Sequence, residues 1–311
     1  MSLSAASPTL DAEGRAWPLR EASRMVRAGA IEWHVQELGP SDAPVALLVH
    51  GTGAATHSFR GLMPLLAQDR RVIAMDLPGH GFTRGATDND LTLPGMARAL
   101  CGLIKVLGIE PALAVGHSAG VAVLLQATLD GGLRPGCIVG FNAALEPIRG
   151  NALLSPLAKL LFSNPLTARV VSFQARLGDM AGHLLKATGS RIDQQGRECY
   201  AMLLRQPAHI HGALGMMANW RLEPLIAQLG TLTVPVTLIA ASDDPMVPAR
   251  VSSQAAKLIP GCAVEIVNHG GHLLHEADPA LAAELIRRAA DQGAADWRRS
   301  DPWPEMRTCE R

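Results

Sequence analysis

Neither sign of charge is in excess in this chain: Lys and Arg total 28, Asp and Glu total 28, and the formal net charge is zero. No dense block of either sign occurs along the 311 residues. The concentrated positive footprint that nucleic-acid binding requires is missing, so nucleic acid is not expected as a partner. Aromatic residues make up only 4% of the chain, leaving few surfaces on which bases or sugars could stack. The five cysteines, Cys101, Cys137, Cys199, Cys262 and Cys309, are odd in number and scattered, without C-x-x-C or mixed His/Cys spacing. Neither a disulfide framework nor a metal site is expected, and a reducing cytoplasm is the natural setting. No apolar run reaches the roughly 18 residues of a membrane span, and the polar leader, residues 1–22, has no apolar signal core. Any membrane contact is therefore expected to be peripheral. What the chain does have is 48% hydrophobic residues, mostly aliphatic, which is ample for a full core and excludes disorder as the main state.

The order of apolar runs predicts a fold class. Residues 23–29 and 31–38 alternate in strand fashion around Ala28-Gly29-Ala30, the pattern of a β-hairpin. Six short apolar runs follow, at 45–50, 72–76, 112–115, 137–141, 234–240 and 263–267, of the kind expected of strands buried on both faces. Helical segments separate most of them. Residues 94–107 follow a Thr92 cap and stop at Gly108, residues 119–129 stop before Gly131-Gly132, and residues 279–290 begin beside Asp278. Such alternation predicts an α/β fold with a mostly parallel, doubly wound sheet and right-handed crossovers.

Residues 145–225 break the alternation. They show helical periodicity at 156–162, 166–177, 180–186, 196–204 and 210–219, punctuated by prolines at 147, 156, 165 and 207, with no convincing strand. We read them as a helical cap inserted into a core formed by 23–144 and 226–291, with 292–311 as a C-terminal extension.

The chemistry concentrates at the ends of the strands. Gly116-His117-Ser118-Ala119-Gly120 lies between an apolar strand and an Ala-rich helix. The pentapeptide alone is a weak signal, but a strand–turn–helix setting is what a nucleophile elbow needs: small flanking residues let the two backbones approach while Ser118 projects from a strained turn. The N–H of Ala119 at the helix start would then face a developing oxyanion. A serine hydroxyl needs a base, and the base needs an orienting acid. Two later strand ends supply both, as Ser242-Asp243-Asp244-Pro245-Met246-Val247-Pro248 and Asn268-His269-Gly270-Gly271-His272. In open α/β sheets ligands bind along that same carboxyl edge. Asp244 is the expected acid, with Asp243 as the alternative or as a turn cap. His272, after the Gly-Gly pair, is the expected base ahead of His269 and His275.

Further candidates are graded by the chemistry they offer. His50-Gly51-Thr52-Gly53 ends the strand at 45–50, and Thr52 or Gly53 would give the second oxyanion N–H; His50 reads as a structural histidine. Asp76 and His80 read as loop-fixing residues without chemistry. Around the substrate we expect His117, Asn142, Met216, Met217 and Trp220, with helix–helix packing as the competing reading of the methionines. His183, His209 and His211 lack ligand-spaced partners in sequence. No metal or organic cofactor is required by this set.

Together these motifs resemble the α/β-hydrolase superfamily over about residues 24–291. A narrower similarity is carried by HGTGAATHSFRGL (50–62), DLPGHGFTRG (76–85), GHSAG (116–120) and NAALEPIRGNALLSPLAKLLFSNP (142–165). These segments are similar to the α/β-hydrolase of bacteriochlorophyll gene clusters, a family associated with magnesium chelatase. The resemblance implies a serine hydrolase fold and a setting in photosynthetic pigment synthesis, with possible contact to magnesium chelatase. It implies a small hydrophobic substrate such as a tetrapyrrole or acyl ester, and a location that is cytoplasmic or peripheral at the photosynthetic membrane. A non-catalytic porphyrin-binding or chelatase-assisting role is the alternative.

Overall fold

A computed structural model of the chain describes residues 7–146 and 164–300. Eight strands, β1 (Ser23–Ala28), β2 (Ile31–Leu38), β3 (Val45–Val49), β4 (Arg71–Met75), β5 (Pro111–His117), β6 (Ile138–Phe141), β7 (Val236–Ala241) and β8 (Ala263–Val267), form one sheet in the order β1-β2-β4-β3-β5-β6-β7-β8. β1 and β2 make the antiparallel hairpin, β2 lies antiparallel on β4, and every other neighbouring pair is parallel.

Alternation along the central strands explains why both sheet faces are covered. On β3, Leu47 and Val49 join a core shared with α2 (Leu93–Leu107) and α3 (Ala119–Leu129), while Ala46 and Leu48 join a second core. That second core includes Leu62 and Leu66 of the short helix α1 (Leu62–Leu66). Side chains on successive strand residues point to opposite faces, so a strand apolar at every position needs a layer on each side. α2 starts as its sequence suggests: Thr92 Oγ1 accepts from the Gly95 N–H at 3.1 Å, Pro94 sits in the first turn, and Gly108 ends the helix in the left-handed region. A cap of this kind contributes about 1 kcal/mol.

The cap contains α4 (Pro165–Leu177), α5 (Met180–Ala187), α6 (Gln194–Leu204) and α7 (Pro207–Ala218), with α4 packed mainly on α7. The helix expected at 156–162 lies outside the described residues. α6 and α7 begin two and three residues earlier than their apolar periodicity, because their first turns are set by polar or proline signals. Asp193 accepts from the Gly196 N–H at 2.7 Å, and Pro207 occupies the first turn of α7. The chain returns to the core through α8 (Glu223–Ile226), and α9 (Arg250–Ala256), α10 (Leu274–Ala277) and α11 (Pro279–Ser300) follow. α11 continues to Ser300, past the position at 291 where the apolar pattern fades. Its residues Ala282, Leu285, Ile286 and Ala289 seal the second core.

One strand differs from expectation. β8 was expected to be buried on both faces, yet it is the edge of the sheet, with Val264 36% and Ile266 47% exposed. A short run with four apolar residues around Glu265 looks much the same in a central and an edge strand, because periodicity reports secondary structure and not neighbours.

The cap is fastened to the core by a partly buried polar cluster and a backbone contact. Arg60 Nη2 and Nη1 each reach a carboxylate at 2.6 Å, Asp193 of the cap and Glu276 of the core, and Tyr200 Oη donates to Glu276 at 2.6 Å. At Gly212 the backbone of α7 lies directly on the loop at Gly79, so closely that a Cβ there would overlap the Gly79 carbonyl. Gly212→Ala is therefore expected to cost roughly 1–3 kcal/mol of stability by overpacking. Urea denaturation of the two proteins checks this, and an unchanged midpoint would contradict the contact.

Candidate active site

Ser118 sits between β5 and α3 in a conformation few side chains adopt, with φ 51° and ψ −117°. Such backbone strain persists only where surrounding packing over-determines it. The flanking glycines provide that packing. A Cβ on Gly116 would lie 2.8 Å from the Val121 backbone, and one on Gly120 would overlap the Val49 carbonyl. The Ser118 N–H donates to the Phe141 carbonyl at 2.9 Å, and its own carbonyl accepts from Val121 and Ala144 at 3.2 Å each. Helix and sheet thus meet with no side chain between them, and the serine side chain is left at the carboxyl edge.

The loops after β7 and β8 converge on the same point. His272 Nε2 lies 3.1 Å from Ser118 Oγ, and His272 Nδ1 lies 2.7 Å from Asp244 Oδ2. Both His272 and Asp244 are buried. The other oxygen of Asp244 accepts from the N–H groups of Met246 and Val247 at 2.7 and 3.0 Å, which fixes the carboxylate plane. Asp243 takes a different part, accepting from the Gly271 N–H at 2.9 Å and so pinning the histidine loop. His269 is exposed, and His275 is buried with no partner on either nitrogen among the described residues.

Two residues expected to line the substrate pocket are hydrogen-bonded to the scaffold around the site. Asn142, fully buried at the end of β6 with φ 45°, donates through Nδ2 to the carbonyls of Gly271 and His272 at 2.9 and 2.8 Å. Its Oδ1 accepts from the Ala241 N–H at 2.8 Å, so one amide ties three loops together. His117 is likewise buried and donates Nε2–H to the His272 carbonyl at 2.8 Å. Polar residues beside Ser118 read as pocket walls in sequence; the fold shows that backbone groups bond the Asn142 amide and one of the two ring nitrogens of His117, whose Nδ1 has no partner among the described residues.

The cap supplies supports that the sequence reading missed. The His272 N–H donates to the Thr188 carbonyl at 2.8 Å, and Ser190 Oγ donates to Gly270 O at 2.7 Å while accepting from the Leu273 N–H at 2.8 Å. Thr188 and Ser190 sit in a turn after α5 with no motif signal, 80 residues distant from the loop they hold.

The loop after β3, where oxyanion N–H groups were expected, is also gripped from the cap. His50 Nε2 accepts from the Leu77 N–H at 2.9 Å and its Nδ1–H donates to Gly51 O at 2.8 Å, the structural role expected of it. His209 of α7 accepts from the Gly81 N–H at 3.1 Å and donates to Gly53 O at 3.2 Å. Thr52 Oγ1 donates to the sulfur of Met216 at 3.2 Å. Met216 is fully buried, Met217 is 43% exposed, and Trp220 packs against the core cluster that contains Met216. Among the described residues, no acceptor takes the N–H of Ala119, Thr52 or Gly53. Asp76 anchors the adjoining turn by accepting from the N–H groups of Thr56 and Phe82 and from His34 Nδ1, at 2.7, 2.8 and 2.7 Å. Burial pushes its carboxyl up, but the His34 imidazole and the Phe82 N–H outweigh burial and hold it below the usual range.

Comparison with known proteins agrees with this architecture. The alpha/beta hydrolase fold family matches residues 44–279. The chain belongs to that family. Within the alpha/beta hydrolase fold, it is 43% identical over 266 residues to the magnesium-chelatase 30 kDa subunit of Rhodobacter capsulatus, covering 84% of this chain and 91% of that one. Solved structures share the fold at low identity. An alpha/beta hydrolase fold protein from Burkholderia ambifaria aligns with TM-score 0.70 and 21% identity over 85% of this chain and 98% of its own. A thermophilic esterase from Thermogutta terrifontis aligns with TM-score 0.68 and 20% identity over 88% and 99%.

Within this alpha/beta hydrolase fold, several histidines are buried. Burial lowers the pKa of His50, His57, His80, His117, His209 and His275 from 6.5, to about 4 for His209 and about 3 for His275. Below pH 6.5 the unfolded chain therefore binds protons at these sites that the folded chain refuses, so stability falls as pH falls. Glu276 opposes the trend: burial, acting against Arg60 and Tyr200, pushes it up to about 7, and its folded form takes a proton first. His209 and His275, with folded values of about 4 and about 3, each contribute on the order of 1 kcal/mol between pH 7.5 and 5.5. The expected net effect of acidification is a loss of stability. Denaturant midpoints at the two pH values check it; equal midpoints would contradict the neutral-histidine core.

Proposed function

We propose that the chain is a serine hydrolase of ester-type bonds working beside magnesium chelatase in bacteriochlorophyll synthesis. The observation that supports catalysis is the continuous hydrogen-bonded line from Ser118 through His272 to Asp244, at 3.1 and 2.7 Å. Ser118 Oγ attacks the substrate carbonyl carbon as His272 Nε2 takes its proton, and Asp244 holds the imidazole in the tautomer that leaves Nε2 free to accept. The tetrahedral oxyanion rests on the N–H of Ala119 with that of Thr52 or Gly53. Collapse of that intermediate breaks the ester C–O bond, and His272 returns the proton to the departing alcohol. Water then repeats the sequence on the acyl-enzyme. No metal takes part in these steps.

The substrate we propose is apolar, a tetrapyrrole or acyl ester; of the two cap methionines, Met217 is 43% exposed and Met216 is buried in the core. The pigment setting rests on the 43% identity to the magnesium-chelatase 30 kDa subunit. Because that relative is named as a chelatase subunit, a second reading is that the protein assists the chelatase without turnover.

The two readings part at Ser118. Ser118→Ala is expected to lower p-nitrophenyl butyrate hydrolysis at least roughly 10³-fold, and Asp244→Asn by a similar factor, with melting temperatures held. Activity surviving in Ser118→Ala would end the mechanism. In a strain lacking the protein, failure of Ser118→Ala to restore pigment supports the hydrolase reading, and full restoration supports the accessory one.

A further inference from the structure

α4 is built inside out. Its residues Ala168, Ser172 and Ala175 are buried, whereas Leu166, Val170, Phe173 and Leu177 are 59%, 55%, 60% and 73% exposed. Steps of four, three and four residues keep those four side chains within roughly 60° of arc on one helix face. A helix resting on a globular core normally turns its large apolar residues inward. Here the small residues face the protein and the large ones face out. Leu184, 51% exposed on the neighbouring α5, extends the apolar surface. Of the eleven large hydrophobic residues exposed among those described, five lie between 166 and 184, too concentrated to count as scattered surface residues.

The charge of this part of the chain is predominantly positive. Residues 164–222 carry seven basic and three acidic side chains, an excess of four positive charges in a chain whose total is zero. Asp193 is already paired with Arg60, and Asp179 caps α5 through the Gly182 N–H. Arg169 and Arg176 fall along one flank of the apolar stripe by helical spacing. Lys186, Arg191 and Arg197 line, with Asp179, a cleft of about 600 Å³ that includes no α4 residue, and none of the three basic residues has an ion pair among the described residues. No described helix is long and apolar enough to cross a membrane, so a lipid contact here would lie on the surface.

We propose that the cap docks on an anionic lipid bilayer, with Leu166, Val170, Phe173 and Leu177 entering the interface and the basic residues of the cap meeting lipid headgroups. Apolar area and cationic charge are the two attractions an interfacial helix combines, and both are concentrated on this cap. The surface is independent of Ser118.

The full chain is expected to sediment with vesicles of phosphatidylcholine containing about one third phosphatidylglycerol, and far less with phosphatidylcholine alone or at high salt. The double variant Phe173→Ser/Leu177→Ser is expected to partition at least about tenfold less, since two large apolar contacts are lost at exposed sites. Ser118→Ala and the control Val264→Ser/Ile266→Ser, exposed on β8, are expected to bind as the parent does. Binding lost in Phe173→Ser/Leu177→Ser with esterase turnover intact supports the docking surface separately from the catalytic reading. A chain that stays in the supernatant, its stripe covered by its own residues or by a second copy, overturns the proposal. So does equal binding to both vesicle types, or a double variant that binds as well as the parent.

Discussion

Helix α3 meets the sheet backbone to backbone at Gly116 and Gly120, and the site follows from that contact. A methyl group at either position would force α3 off β3 and β5. Ser118 would then relax from its positive φ, and its hydroxyl would leave the carboxyl edge. The strain at Ser118 is sustained by two large cores on either face of the sheet, which keep α3 and the strands from separating. Packing spread over dozens of aliphatic residues thus holds one dihedral angle out of its ordinary range. An aromatic-poor chain can do this because Val, Leu, Ile and Ala interdigitate well on a twisted parallel sheet.

Much of this was legible from residue order. The strands and the helices at α2 and α3 announce themselves through period, cap and breaker, since local chemistry decides them: Thr92 needs only Gly95 three residues on. The Ser, Asp and His positions are legible because each follows a strand, and a parallel sheet brings successive strand ends to one edge. Choosing Asp244 over Asp243 is a finer matter. Adjacent carboxylates have the same composition signal, and the turn geometry at Pro245 sends one toward His272 and the other toward the Gly271 N–H.

What stayed illegible depends on contacts between distant segments. Asn142 carries no local mark distinguishing a pocket residue from a brace; its bonds run to residues 241, 271 and 272. The edge position of β8 and the grip of Thr188 and Ser190 on the histidine loop are of the same kind. Buried amides and hydroxyls must find partners, but sequence names the donor without naming the acceptor. Function residues next to the nucleophile are where that ambiguity is greatest, because a polar side chain there could serve either substrate or scaffold.

The cap is consequently part of the site's framework as well as its cover. The His272 N–H ends on Thr188, the turn before it is bonded to Ser190, and the Arg60 guanidinium binds Asp193 and Glu276 together. Lifting residues 188–193 from the core would free three backbone groups of the histidine loop and remove one of the two carboxylates on Arg60. The histidine loop thus rests on residues 188–193 of the cap as well as on Asp244 and Asn142. On the opposite side the cap is held by the backbone contact of Gly212 on Gly79 and by His209, which donates to Gly53 O.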